Sequence, residues 1–485
     1  MKFNRLLEKQ NRFIPSTQAF LEKLSNSNRI IMILLSFICS FIILTDELEY
    51  DAKVSIIVFI ITLALWVGTK LPAAYVALGA LSVIILLKGA DTELLYESFS
   101  SEIIWLMIGA FVIGEAFSSS GLSTRMTRAI VTRAKTSNQI LFYLMISLFP
   151  LSIFIPSTSG RAALMLPIVR EISNLLKTKK QKEVIALFVP VIILMTTSST
   201  LLGAGSHLIG VEILQKNTGE SISYINWLVW GLPFSIMISL VTYFVFKSYF
   251  SNELTSQPLD AQKDTTLCKA KPVSKKEKQT LVYLGILILL WLTEAIHGYE
   301  IGFITICGAL VFMLPKFGVI TWKKGLQAVS WNLVLFVAAA TALGINLVET
   351  GAVKWIEEGI FKLLGAFPHI PQWAILSLII LISITSHIYI TSHTTRAVVL
   401  VPGILMLSAT LELEASAVLF LSLVGMNYCL TFPISSKALL IYYEDDSLRY
   451  RANVLMKINM ILMPLYFIMM ILFYFTYWSW TGLSI

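Results

Sequence analysis

Two short hydroxyl-rich clusters, 235 positions apart, carry most of the chemistry legible in this chain. PSTSGRAALMLPI (156–168) and TSHTTRAVVLVPG (391–403) match at Ser157/Ser392, Ser159/Thr394, Arg161/Arg396, Ala162/Ala397 and Pro167/Pro402. Each cluster is a break between two apolar runs and is followed by a helix start. Such a break offers hydroxyls together with the free N–H groups of a new helix, a combination that favours anions. Two tips of this kind facing each other suit a ligand with two anionic ends, such as a dicarboxylate. Ser and Thr also cap helices with no ligand involved, so the weight rests on the matched pair rather than on any one hydroxyl. The candidate binding residues are Ser157, Thr158 and Ser159 in the first cluster and Ser392, His393 and Thr394 in the second.

Arg161 and Arg396 each sit two residues past a cluster. An arginine at membrane depth is costly and marks a functional site by default. Its guanidinium can hold a carboxylate bidentately or act as a fixed positive charge; the plainer alternative is that it reaches a hydrophilic cavity or the interface. His393 titrates near neutral pH if unperturbed, or stays neutral and donates to backbone. His207 and His387 read as buried, hydrogen-bonded histidines. Glu115 is placed to cap or to pair with a basic loop, Glu102 to sit at the interface, and Asp445 and Asp446 to be solvated in a polar turn. Cys39, Cys268, Cys307 and Cys429 show neither metal nor redox spacing and read as structural.

The elements that position these groups must be transmembrane helices. Of 485 residues, 56% are hydrophobic and 14% charged, and mean hydropathy is +0.78. Soluble domains are about a quarter charged; this apolar excess needs lipid as its solvent. The net charge of +8 comes from short basic loops between apolar runs, the pattern that orients membrane proteins, and not from a nucleic-acid patch. The first 29 residues are polar and basic and lack the apolar core of a cleavable signal. They are expected to form a cytoplasmic amphipathic helix with Phe20, Leu21 and Leu24 on its apolar stripe.

Loop charge places the N-terminus, Arg125–Lys135, Lys177–Lys182, the linker 248–279 and Lys316–Lys324 on the cytoplasmic side. The pair 138–156 and 161–176 lies between two inside loops, so it either crosses twice or enters and turns back. EIIWLMIGAFVIGEAFSSSGL (102–122) also parallels NLVLFVAAATALGINLVETGA (332–352). The reading is an all-α polytopic membrane protein of two inverted repeats, 30–247 and 280–485. Each holds a re-entrant helical hairpin, at about 138–176 and 372–411, with a binding site where the repeats meet.

At the hydroxyl clusters the chain resembles the divalent anion/sodium symporter superfamily, which carries a Ser-Asn-Thr triplet at each hairpin tip and a proline about ten residues on. The resemblance extends to the break near Gly203–His207 and to FPISSKA (432–438). It implies a homodimer, an elevator-type scaffold plus transport domain, and carboxylate binding at the tips. It also makes Gly203, Gly205, Ser435 and Lys437 possible substrate-side or supporting residues. Thr158 and His393 replace the central Asn, and the arginines make the motif similar to that of citrate and oxoglutarate/malate exchangers. A guanidinium at each tip can supply the charge that Na⁺ supplies in symporters, so exchange without Na⁺ or another cofactor is the favoured expectation, with Na⁺- or H⁺-coupled symport as the alternative. A bacterial inner membrane is expected from chain length and loop style. An arsenite or sodium/proton antiporter relative would need intramembrane carboxylates, where this chain has hydroxyls and arginines. An intramembrane serine hydrolase finds no support in Ser206-His207, Ser386-His387 or Ser392-His393, because adjacent residues on a helix point apart.

Overall fold

The structure, a computed structural model, describes residues 37–69, 71–122, 125, 129, 133–134, 136–155, 157–174, 176, 178–254, 272–364, 371–390, 392–445 and 447–483. The amphipathic N-terminal helix, the middle of the linker 248–279, Cys268 and Asp446 lie outside the described residues.

Among the described residues all regular structure is helical, as expected where lipid offers the backbone no partner. The helices that matter here are α1 (Tyr50–Gly68), α2 (Ala73–Leu86), α3 (Glu102–Ser120), α4 (Ser137–Phe154), α5 (Thr158–Asn174), α6 (Lys179–Met195), α7 (Gly205–Thr218) and α8 (Tyr224–Tyr249). They continue with α9 (Lys275–Leu292), α10 (Ile301–Phe312), α11 (Trp331–Glu349), α12 (Gln372–Thr385), α13 (His393–Thr410), α14 (Ala415–Met426), α15 (Lys437–Tyr443) and α16 (Ala452–Phe473). Five described segments are long and apolar enough to cross a membrane alone, among them those holding α3, α8, α11 and α16. The shorter apolar helices of 10–17 residues include α12 and α14, which end at breaks.

One group of helices forms a wall. α1 packs on α2, α11 packs on both, and α3 lies along α10, with α9 behind. Some of its polar groups pair across helices: Asn346 Nδ2 donates to Ser55 Oγ at 2.6 Å, and Trp291 Nε1 to Thr305 Oγ1 at 3.0 Å. Such bonds contribute about 0.6 kcal/mol each on average in a bilayer and fix which helix faces meet.

The second group is built from interrupted helices. α6 stops at Met195, passes through two 3₁₀ turns (Thr196–Ser199 and Leu201–Gly203) and resumes as α7. α14 stops at Met426, and an irregular stretch with a 3₁₀ turn at Pro433–Ser435 leads to α15. α4 and α5 both pack on α6, and α5 also packs on α15; α12 and α13 both pack on α14, and α13 also packs on α7. Each helical pair therefore grips the first half of its own broken helix and the second half of the other one. The two halves of the chain contribute equivalent elements to this crossed pattern.

Ion pairs joining segments distant in sequence include, among the described residues, Arg125–Glu277 at 2.8 Å, Lys324–Glu115 at 3.0 Å, Arg451–Glu183 at 2.8 Å, Lys180–Glu253 at 4.0 Å, and Arg170–Asp445. The last corrects an expectation. Asp445 is only 6% exposed, and its Oδ1 accepts from Ser447 N, Ser447 Oγ and Leu448 N at 2.9, 2.6 and 3.0 Å. The turn folds back onto α5, which spacing in the sequence does not show. Burial pushes the Asp445 carboxyl up, but Arg170 and Ser447 outweigh it and hold it below the ordinary value of 3.8. A depressed carboxylate contributes stability above its unfolded pKa and loses it as pH falls through the native one. Asp445→Asn is accordingly expected to cost about 1 kcal/mol at neutral pH, mostly through the backbone donors, since the half-exposed Arg170 adds little. Melting in detergent across a pH series checks this: the gap between wild type and variant should close only below about pH 4.

Candidate functional site: a polar cavity between two hairpin tips

A cavity of about 530 Å³ lies where the two interrupted systems meet the wall. Ser157, Thr158 and Ser159 line it from one side and Ser392, His393 and Thr394 from the other; Gly205 and Lys437 contribute from the starts of α7 and α15. The wall supplies Pro72, Phe111, Ser330, Asn332, Leu333 and Phe336. A volume of this size is in the range of small-ligand sites, and it far exceeds a C4 dianion.

The two tips are built alike because the same residue types recur at the same places. Ser157 Oγ lies 3.0 Å from Ser159 Oγ and accepts from Gly160 N at 3.1 Å. Ser392 Oγ lies 3.0 Å from Thr394 Oγ1 and accepts from Thr395 N at 3.3 Å. Both leading serines thus cap the helix that follows, and their partners Ser159 and Thr394 stand on the cavity wall. Capping and ligand binding are compatible roles here.

Behind each tip is an arginine with no exposed surface. Arg161 Nη2 donates to Gly203 O at 2.7 Å and to Thr197 Oγ1 at 3.1 Å, while its Nε and Nη1 have no partner. Arg396 Nη1 donates to Met426 O at 2.5 Å, and its Nε and Nη2 have none. Among the described residues neither guanidinium forms an ion pair. The arginines do not reach the interface; each is tied to a carbonyl freed by a broken helix. Two uncompensated buried cations are expensive, and an anion between the tips would offset that cost.

The breaks are locked to each other through Asn427. Its Nδ2 lies 2.8 Å from Ser198 Oγ and 2.9 Å from His207 Nε2. His207 Nδ1 faces Thr200 O at 3.2 Å. A carbonyl only accepts, so Nδ1 carries a proton, while Nε2 lies within reach of both Asn427 Nδ2 and Oδ1, at 2.9 and 3.2 Å. The same reasoning makes His387 Nδ1 the donor to Ile384 O at 2.6 Å, and its Nε2 lies 2.6 Å from Thr431 Oγ1. Both are buried, hydrogen-bonded histidines off the cavity wall. His393 differs: it lines the cavity, its Nε2 lies 3.0 Å from Cys429 Sγ, and its Nδ1 is unpartnered.

Of the remaining sequence candidates, Gly203 acts through its carbonyl on Arg161. Ser435 is buried in its turn, where Oγ accepts from Phe432 N at 3.1 Å, and is not on the cavity wall. Thr197, Asn427 and Asn332 were not singled out from the sequence, and Cys429 was read there only as structural. A lone Asn within the long apolar run 416–440 was the one available signal.

Interrupted helix pairs facing each other across a polar cavity inside an apolar helical body define a membrane transporter. Residues 23–484 match the family described as the sodium:sulfate symporter transmembrane region, and the chain belongs to that family. It is 23% identical over 456 residues to the sodium-dependent dicarboxylate transporter SdcS of Staphylococcus saprophyticus, covering 85% of this chain and 86% of that one. It is 24% identical over 370 residues to the putative malate transporter YflS of Bacillus subtilis, covering 71% and 74%. The solved structure of MtrF from Neisseria gonorrhoeae shares the fold with a TM-score of 0.52 at 14% identity, over 90% of this chain and 96% of that one.

Proposed function

We propose that this protein is a secondary transporter that exchanges small dicarboxylates across the membrane. The observation that carries the reading is the pair of fully buried, unpaired arginines, one behind each hydroxyl cluster. A dicarboxylate placed between the tips would take hydroxyl and N–H donors at both ends and neutralise two fixed charges at once. Ser157, Thr158, Ser159, Ser392, His393 and Thr394 are its contacts, with Arg161 and Arg396 compensating its charge. The names carried by the staphylococcal and Bacillus relatives agree with that substrate class.

The repeats 30–247 and 280–485 are inverted, and the helix pairs α4–α5 and α12–α13 are re-entrant hairpins. The hairpins and broken helices move as a transport domain against the wall of α1–α3 and α9–α11, in elevator fashion, within a homodimer. The cavity is bordered by Ser330, Asn332 and Leu333, which follow the basic segment Lys316–Lys324 in sequence. The conformation is then inward-facing, with the N-terminus in the cytoplasm of a bacterial cell.

Sodium-coupled symport is the second reading, favoured by the family's description and by the name of the staphylococcal relative. Against it stand Gly203 O and Met426 O, break carbonyls of the kind that hold Na⁺ in transporters, which here already accept from guanidinium groups. Uptake of labelled succinate into proteoliposomes separates the two. Exchange predicts uptake only with internal succinate and no response to Na⁺; uptake into empty vesicles driven by a Na⁺ gradient would replace exchange by symport.

A further inference from the structure

The wall holds two corners built to one plan, and one of them lines the cavity. The first joins the start of α2 to the start of α11, where Leu71, Pro72, Ala73, Ser330, Asn332 and Leu333 all border the cavity. The second joins the start of α10 to the start of α3. There Gly302 N donates to Glu102 Oε1 at 2.8 Å, and a Cβ on Gly302 would lie 2.6 Å from Glu102 Cγ. The sequence relates the two corners. Glu102 and Asn332 hold the same place in the parallel segments 102–122 and 332–352, and Gly79-Ala80-Leu81 of α2 recurs as Gly308-Ala309-Leu310 of α10. The first corner follows the basic segment Lys316–Lys324, whereas α10 runs from the second corner toward that segment. The corners therefore lie toward opposite sides of the membrane. In this conformation α7 covers the second one: it packs on α3, and Ser101 donates to its buried Glu212.

We propose that Glu102 is the outward-facing counterpart of Asn332, so that the anion meets an amide on the wall when the site opens to the cytoplasm and a carboxyl group when it opens to the other side. This rests on the exchange and inverted-repeat readings above. An amide donates to a carboxylate in every protonation state. An ionised Glu102 only accepts, and it repels the anion; protonated, it donates. The charges that act on Glu102 come from Glu300 and Glu294, beside α10, and from Glu212 on α7, and all three are acids. Lys216 stands one turn along α7 from Glu212 and acts on that carboxylate. Lys324 and Arg125 sit at the far end of α3, paired with Glu115 and Glu277. The wall thus makes binding tighter from the cytoplasm than from outside, and acid on the outer side removes the difference.

The test measures succinate exchange by the full-length protein in right-side-out and inside-out membrane vesicles, which present its two faces separately. At neutral pH the wild-type KM should be about tenfold higher from the outer side, because like charges brought together oppose binding. Glu102→Gln should lower the outer KM by about tenfold and leave the cytoplasmic KM unchanged. Asn332→Asp should raise the cytoplasmic KM alone, by a similar factor. Acidifying the outer side should bring the wild-type KM down to that of Glu102→Gln; succinate titrates equally for both proteins, so their ratio isolates Glu102. A Glu102→Gln variant whose two KM values move together, or not at all, overturns the proposal, as does an Asn332→Asp variant that acts from both sides. Absence of exchange by wild type from either side would sink the exchange reading, and this proposal with it.

Discussion

Arg161→Ala and Arg396→Ala are each expected to lower anion exchange by about 30-fold or more, with folded protein still recovered. Each guanidinium is completely buried, ties a hairpin to a helix break through Gly203 O or Met426 O, and keeps two nitrogens unpartnered. Removing one partner of a desolvated charge interaction costs about 2–5 kcal/mol, and each 1.4 kcal/mol is tenfold. Lysine should not rescue either position. Its ammonium is a compact point charge and cannot hold a break carbonyl while presenting a planar fork of donors to a carboxylate. The measurement is succinate counterflow in proteoliposomes, with size-exclusion profiles to confirm that each variant is folded. The buried cation also makes the folded apo-protein costly, so alanine should leave thermal stability unchanged or raise it. Exchange at wild-type rates in either alanine variant would remove the arginines from the mechanism.

Gly203→Ala is expected to be strongly damaging for a change of one methyl. A Cβ at this position would lie 1.9 Å from Thr197 O, a backbone atom that cannot swing aside. Relief requires moving the turn Leu201–Gly203 away from Thr196–Ser199, which also displaces both acceptors of Arg161 Nη2. The strain exceeds the 1–3 kcal/mol usual for overpacking, because the clash is with backbone on both sides. Loss of folded protein, or a large drop in melting midpoint together with loss of exchange, is the expected result. Gly344→Ala is the control: nothing lies within 4 Å of its added methyl, and in the interior of α11 alanine favours the helix by about 1 kcal/mol. Equal behaviour of the two variants would mean that the break at 196–203 is not packed as described.

The helical membrane class was legible in the sequence because hydropathy is local and additive. A run of apolar residues needs lipid or a core whatever lies elsewhere in the chain, and its backbone has no other way to satisfy itself. The hydroxyl clusters were legible because they recur at a fixed spacing with their arginines and prolines. Composition marked what these residues are, and the repeat marked that they belong together. Neither depends on knowing which helix touches which.

The crossed packing of α5 on α15 and α13 on α7 depends on non-local contacts, and so does everything that follows from it. Asn427 meets Ser198 across 229 positions, and nothing in the local pattern of either residue announces the contact. Apart from the Thr197 hydroxyl, the partners of the arginines are backbone carbonyls, which every residue has, so no residue type could flag Gly203 or Met426. Asp445 reads as a solvated turn residue until the turn is seen folded onto Arg170. Asn332 and Phe336 join the site only because α11 stands opposite the tips. Residue chemistry is written one position at a time, while a cavity exists only where surfaces from both halves of the chain close around the same space.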